Sequence, residues 1–247
     1  MFEARSLREA VCLYIFDTGK DLHTYFSMFN TIKMGKAPPR IYQYSISRSG
    51  STVIWQILKY IFPDHTICKK HQPPQDTVKT VITYRDPRDR VASKWRKRNQ
   101  NPDRQVTSRQ QLQFLLDDNE TQFNCLREYL ESHSADNYLL LCYEHFYENF
   151  DYLFPRLETF FDITITQEQR QYIHDHFNVN SNKAVADSMP TFDAIDYNSG
   201  IHGNHICTRT KGAPGCWRRL IHPSLQKTYL SQLKKQMTYL SKLSLSQ

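Results

Sequence analysis

The stretch Ile41-Tyr-Gln-Tyr-Ser-Ile-Ser-Arg-Ser-Gly-Ser-Thr-Val-Ile-Trp55 constrains this chain more than any other. An apolar run with strand character breaks at Arg48-Ser49-Gly50-Ser51-Thr52, and a helical pattern begins at once. The first N–H groups of a helix have no intrahelical partner, and with the positive end of the helix dipole they point into the preceding turn. Glycine admits close backbone approach, and the hydroxyls and guanidinium add donors, so this turn suits an anion. Ser and Thr are also preferred N-caps, which leaves an ordinary strand-to-helix turn as the alternative.

A second segment, Lys79-Thr-Val-Ile-Thr-Tyr-Arg-Asp-Pro-Arg-Asp-Arg-Val-Ala-Ser93, repeats the theme. Its strand-like run ends in charge, and Pro87 suits the first turn of a following helix. In a compact strand–turn–helix, Arg85 and Ser93 can both reach one anion, because about two helical turns separate them. Mutual neutralisation of Arg85, Asp86, Arg88 and Asp89 on the surface is the competing reading.

The patterns predict strands near 41–47, 78–84 and 138–143, and helices near 52–61 and 88–98. Leu112, Leu115, Leu116, Phe123, Leu126 and Leu130 mark a further helix between the last two strands. Such alternation implies an α/β fold, a parallel sheet with helical crossovers. Helices are expected near 152–161 and 167–177, then an irregular stretch from about 179 to 221, then a terminal helix opened by Pro223. Residues 1–38 are expected to be a helical extension: Ser6 to Glu9 fits a capping box, and Leu22, Tyr25, Phe26, Phe29 and Ile32 share one helical face. Residues 39–247 are expected to form the α/β domain.

In this order the motifs resemble sulfotransferases that use 3′-phosphoadenosine 5′-phosphosulfate (PAPS). Arg48-Ser-Gly-Ser-Thr52 is similar to that family's 5′-phosphosulfate loop, and Arg85 through Ser93 to its 3′-phosphate motif. Cys68-Lys-Lys-His-Gln-Pro-Pro74 resembles the Lys-Thr-His-Leu-Pro segment with the catalytic base, Tyr143-Glu144 a strand-end Tyr-Glu, and Thr210-Lys-Gly-Ala-Pro-Gly-Cys-Trp217 the late cofactor loop. The resemblance implies a three-layer, P-loop NTPase-like fold and sulfuryl transfer from PAPS to a hydroxyl or amine, without a metal. It implies His71, Arg48 and Lys69 at the reacting centre. The donor would be held by Arg48, Ser49, Gly50, Ser51, Thr52, Arg85, Ser93, Tyr143, Lys211 and Gly212. Histidine, with a pKa near ~6.5, is suited to taking a proton near neutrality. The chain departs from soluble relatives at Arg48 (usually lysine), Val53 (usually tryptophan), Thr210 (usually arginine) and Cys216 (usually aspartate).

Composition agrees with an anionic partner: 32 basic against 25 acidic residues give a formal charge of +7. PAPS is itself a polyanion, and the acceptor is expected to be a small molecule or a carbohydrate, itself anionic in one reading. No helix-turn-helix, zinc-finger or RNA-binding aromatic pattern favours nucleic acid. Lys94-Trp-Arg-Lys-Arg98 reads as a solvated helix face or a polyanion patch. Six cysteines at scattered positions and no run approaching the ~20 apolar residues of a membrane span lead to an expected cytoplasmic location. A zinc site from Cys68, His71, His202, His205, Cys207 and Cys216, a catalytically inactive nucleotide- or polyanion-binding module, and a P-loop nucleotide kinase are the alternatives. The kinase lacks its Gly-x-x-x-x-Gly-Lys-Ser/Thr signature here.

Overall fold

Short runs rich in Ile, Val, Thr and Tyr form four strands: β1 (Arg40–Ser45), β2 (Thr66–Lys70), β3 (Thr80–Tyr84) and β4 (Tyr138–Cys142). In the computed structural model, which describes residues 38–99, 105–191, 193–203, 206 and 210–245, they make one parallel sheet in the order β2-β1-β3-β4. Arg40 pairs with Thr66, Tyr42 with Thr80, and Thr80 with Tyr138. The expected extension over 1–38 lies, apart from Pro38, outside the described residues.

Helices connect and cover the strands. They are α1 (Ser51–Ile61), α2 (Pro87–Asn99), α3 (Arg109–Ser132), α4 (Tyr143–Phe146), α5 (Phe154–Phe161), α6 (Gln167–His176), α7 (Val179–Ser188), α8 (Trp217–Leu220) and α9 (Pro223–Leu245). Two short strands, β5 (Ile195–Asp196) and β6 (Ile201–His202), pair antiparallel between α7 and α8.

The period-two alternation of a strand sends neighbouring residues to opposite faces. Val81 and Leu141 join Ile54, Ile57 and Leu58 of α1 and Leu157 of α5 in one core. Ile82 and Leu140 join Phe123, Leu126 and Leu130 of α3 on the other side. A third cluster packs Val91 and Ala92 of α2 with Trp217 of α8 and Tyr229 and Leu233 of α9. Each fully buried aliphatic side chain contributes roughly 1.5–3 kcal/mol relative to exposure.

One buried cation ties these layers to the loop after β1. Arg90 is 1% exposed. Its guanidinium donates to Ser47 O and Ser47 Oγ, each at 3.1 Å, and meets Asp118 Oδ2 at 3.1 Å. It also donates to Asn119 Oδ1, and Asn119 Nδ2 donates to Gln236 Oε1 of α9.

The structure adds elements to the sequence reading. β2 was not anticipated: it is a five-residue edge strand ending in two lysines, too short and too polar for a period-two signal. The stretch expected to be irregular contains α7, capped by Asn178 on the N–H groups of Asn180 and Ser181, the β5–β6 hairpin, and the short α8. Leu126, 0% exposed between α3 and the sheet, gives a direct check on the packing. Leu126→Ala should cost roughly 2–5 kcal/mol, read as a lower urea midpoint with an unchanged slope. An unchanged midpoint would show that α3 does not pack there.

Candidate active site

The loop between β1 and α1 holds two residues in left-handed backbone conformation, Arg48 at φ 72° and Gly50 at φ 81°. A Cβ on Gly50 would stand 2.7 Å from the Tyr143 ring and 2.9 Å from Phe146, so both conformation and space require glycine. Arg48 adopts the same region at a cost of order 1 kcal/mol, and such strain concentrates where a side chain must be aimed. Ser49 is turned inward: its Oγ donates to Ile46 O at 2.6 Å and lies 2.8 Å from Thr83 Oγ1. Its hydroxyl therefore fastens the loop to the end of β3.

Arg48 Nε donates to Ser93 Oγ at 3.0 Å, which joins the first motif to the second. Lys69, carried by β2, donates from Nζ to Thr52 Oγ1 at 2.8 Å. Just beyond that strand, His71 Nδ1 lies 3.0 Å from Ser45 O. A carbonyl only accepts, so in this bond Nδ1 carries the proton and Nε2 keeps a lone pair.

Electrostatics follow from crowding. A cleft of about 620 Å³ is lined, among the described residues, by seven Lys and Arg side chains and one carboxylate, that of Glu148. Burial, then Arg96 and Arg85, push the Arg48 guanidinium down to about 9, still protonated at neutral pH. Burial and Arg48 push Lys69 down to about 8. His71 sits below the ordinary imidazole value, through partial burial and the charges of Lys69, Lys97 and Arg90, with the bond to Ser45 acting the other way. An anion entering the cleft relieves this repulsion.

Arg85, 3% exposed, packs its guanidinium 4.2 Å from the centre of the Tyr143 ring. Its Nη2 donates to Gly212 O at 2.8 Å, and its Nε lies 3.9 Å from Glu144 Oε1. The late loop is thus strapped down by its backbone. Tyr143 Oη donates to Gly212 O at 3.0 Å, and Tyr147 Oη to Lys211 O at 3.1 Å. Asp89, 1% exposed, accepts from the N–H of Gly215 at 2.6 Å and of Trp217 at 3.0 Å. Lys211 Nζ reaches Asn180 Oδ1 of α7 at 2.7 Å.

Arg48, Gly50, Ser51, Thr52, Lys69, His71, Arg85, Ser93, Tyr143, Lys211 and Gly212 all line this one cleft, and Ser49 does not. Val53 lines it as well. Trp55 instead donates from Nε1 to Ile67 O and covers Gly200. The basic run divides: Lys94, Arg96 and Lys97 line the cleft, Trp95 is in the core, and Arg98 stacks over Phe114. The expectation of a solvated face is thereby corrected. The missed signal was spacing, since Arg96 and Lys97 follow Ser93 by three and four residues and share its helical face. Asn180, also lining the cleft, carried no motif, and His202, which lines it too, entered the sequence reading only through the zinc alternative.

Among the described residues, no three His, Cys, Asp or Glu side chains gather as metal ligands; His205, Cys207 and Arg209 lie outside them. Burial and Asp89 push the Cys216 thiol up to about 12. No described helix is long and apolar enough to cross a membrane. Asn119, which opens an Asn-x-Thr pattern, is buried in α3.

A parallel sheet that delivers an anion loop, two cation-bearing strand ends and a backbone-held strap to one basic cleft defines an α/β protein of the P-loop type. The chain belongs to the sulfotransferase domain family, which matches residues 61–241, and its reaction is PAPS-dependent sulfuryl transfer. Solved structures share the fold. Mouse sulfotransferase SULT7A1 complexed with PAP aligns over 86% of this chain and 89% of its own, at 15% identity and a TM-score of 0.60. Retinol dehydratase in complex with androsterone and the inactive cofactor PAP aligns over 83% and 82%, at 17% identity and a TM-score of 0.62. No curated protein matches the chain at the level of sequence.

Asp89 is the anchor whose removal the site should feel most locally. Asp89→Asn should cost roughly 1–3 kcal/mol, because a buried carboxylate accepting two N–H groups is lost. Amide exchange at Gly215 and Trp217 should speed up selectively. Unchanged exchange at both would show that the strap does not hang on this residue.

Proposed function

We propose that PAPS lies along the cleft with its 5′-phosphosulfate against the N–H groups of the Arg48–Thr52 loop and its 3′-phosphate against Arg85 and Ser93, beneath Lys211 and Gly212. The acceptor offers a hydroxyl or amine and is a small molecule or a carbohydrate. One observation carries this reading: the Arg48 Nε bond to Ser93 Oγ at 3.0 Å makes the two anion motifs a single site. The donor set fits a polyanion, with seven cations against one carboxylate around the cleft. Arg85 Nε makes no hydrogen bond among the described residues, although the side chain is nearly sealed. That mouse SULT7A1 and retinol dehydratase were solved with PAP supports the same donor here.

When bound, PAPS supplies a sulfuryl group on an oxygen bridging to a bisphosphate leaving group. The protein's task is to place charge where charge develops. Arg48 and the loop N–H groups oppose the negative charge growing on the leaving side, and Lys69 holds a cation at the mouth of the loop. His71 accepts the acceptor's proton at Nε2, the nitrogen left with a lone pair by the bond from Nδ1 to Ser45 O. Thr210 and Cys216, which depart from the family pattern, fall in the strap, whose fastening bonds go to its backbone. The four described cysteines are free thiols, in keeping with work in a reducing compartment such as the cytoplasm.

Two measurements test the assignment. Arg85→Ala should weaken binding of PAP by roughly 1.5–3 kcal/mol, the scale of a charge-assisted hydrogen bond, and should matter far less for an analogue lacking the 3′-phosphate. Equal losses for both ligands would remove Arg85 from that role. His71→Ala should lower turnover by about 10²–10⁴-fold with PAP affinity retained. Because the His71 pKa is lowered, the neutral base persists to more acid solution, and the acid limb of kcat/KM should fall below ~6.5. An acid limb unchanged in His71→Ala would mean that another group takes the proton.

A further inference from the structure

His71 owes its place to a strand register. Parallel pairing sets Gln43 beside Lys69 and Tyr44 beside Lys70, so the next residues in line, Ser45 and His71, meet where β1 and β2 end. The period of two puts both side chains on the face that carries Lys69. Ser45 is 0% exposed, and His71 Nδ1 lies 3.0 Å from its Oγ as well as 3.0 Å from its carbonyl oxygen. Two oxygens of one residue thus meet one ring nitrogen. With the carbonyl accepting the Nδ1 proton, the hydroxyl offers a second lone pair to the same N–H, as in other three-centre bonds.

Among the described residues, that nitrogen is the partner of the Ser45 hydroxyl. His71 lines the cleft and Ser45 does not, so the serine side chain serves the ring and not a ligand. A sealed strand position otherwise favours a β-branched or apolar residue, and a buried hydroxyl is costly unless it is hydrogen-bonded. The ring's need is electrostatic. A base that takes a proton becomes a cation, and the charged groups facing His71 are Lys69 from β2 and Lys97 and Arg90 from α2, all of them positive. Neutral oxygens aimed at Nδ1–H favour the imidazolium against that field. We propose that Ser45 is a positioning residue for the reaction: its hydroxyl holds the Nδ1–H of His71, leaves Nε2 free for the acceptor's proton, and stabilises the imidazolium that forms when Nε2 takes it. The proposal rests on the reading of His71 as the base.

The ring can be read without turnover. Long-range ¹H–¹⁵N NMR of the full chain across a pH titration, with and without saturating PAP, reports which nitrogen of each histidine holds the proton, and the signals lost in His71→Ala identify this ring. The neutral ring should carry its proton on Nδ1. In Ser45→Ala the carbonyl remains, and the proton affinity of the ring should fall about three- to tenfold, the scale of one hydrogen bond. Ser45→Thr keeps the hydroxyl and should stay within about twofold of the unmodified chain. Ser45→Cys, close to serine in size and a weak acceptor, should show the same fall as Ala and takes its place if Ala does not fold. A neutral ring protonated on Nε2, a proton affinity unmoved in the Ala and Cys variants, or a loss as large in Thr as in Ala would overturn the assignment. An acid limb of turnover unchanged in His71→Ala would instead withdraw the base, and the catalytic part of the proposal with it, whereas the ring titration fails only if the Ser45 contact does.

Discussion

A guanidinium sealed beneath the anion loop is the interaction on which the rest of this architecture rests. Arg90 reaches from α2 to the backbone and hydroxyl of Ser47, and to Asp118 and Asn119 of α3. A cation at 1% exposure is tolerable only because its donors are met by a carboxylate, an amide and the loop itself. Withdrawing one partner from such a group typically costs about 3–5 kcal/mol, since the charge stays buried without compensation. The network therefore fixes the start of the loop against α2 and α3 with the rigidity that the strained Arg48 conformation needs.

Above that anchor the chain accumulates like charge. Arg48, Lys69, Arg85, Arg96 and Lys97 share a cleft with little acid to balance them, and three of them have their pKa lowered by burial and by one another. The cleft is thus held in an unfavourable electrostatic state by the folding energy of the surrounding layers. Filling it with a polyanion discharges that state, which raises affinity and steers encounter from solution.

How much of this was legible in the sequence depends on how local each signal is. The loop at Arg48–Thr52 and the Arg85-to-Ser93 spacing are contiguous, and the strands and helices around them were read correctly because their periods of two and 3.6 are strong. The strand carrying Lys69 escaped, since five residues at a sheet edge, ending in lysines, leave no alternation to detect. Ser49 belongs to the motif but spends its hydroxyl on the sheet, a distinction that only the three-dimensional path of the loop decides. His202 reaches the cleft through a hairpin docked on Trp55 and Gln56, a long-range packing event with no local trace. Lys97 was within reach of helical spacing from Ser93, and a charge-rich run concealed it.

The strap over residues 210–217 is gripped mainly by its peptide groups: carbonyls of Lys211 and Gly212 taken by two tyrosines and an arginine, N–H groups of Gly215 and Trp217 taken by Asp89. Peptide groups are the same whatever side chain they bear. The bonds that hold this segment call for a chain geometry, which glycines at φ 80° and 83° secure, more than for particular letters between them. Evolutionary drift can therefore rewrite Thr210 and Cys216 while the shape persists. Lineages of this kind will look more distant from one another in sequence than they are in form.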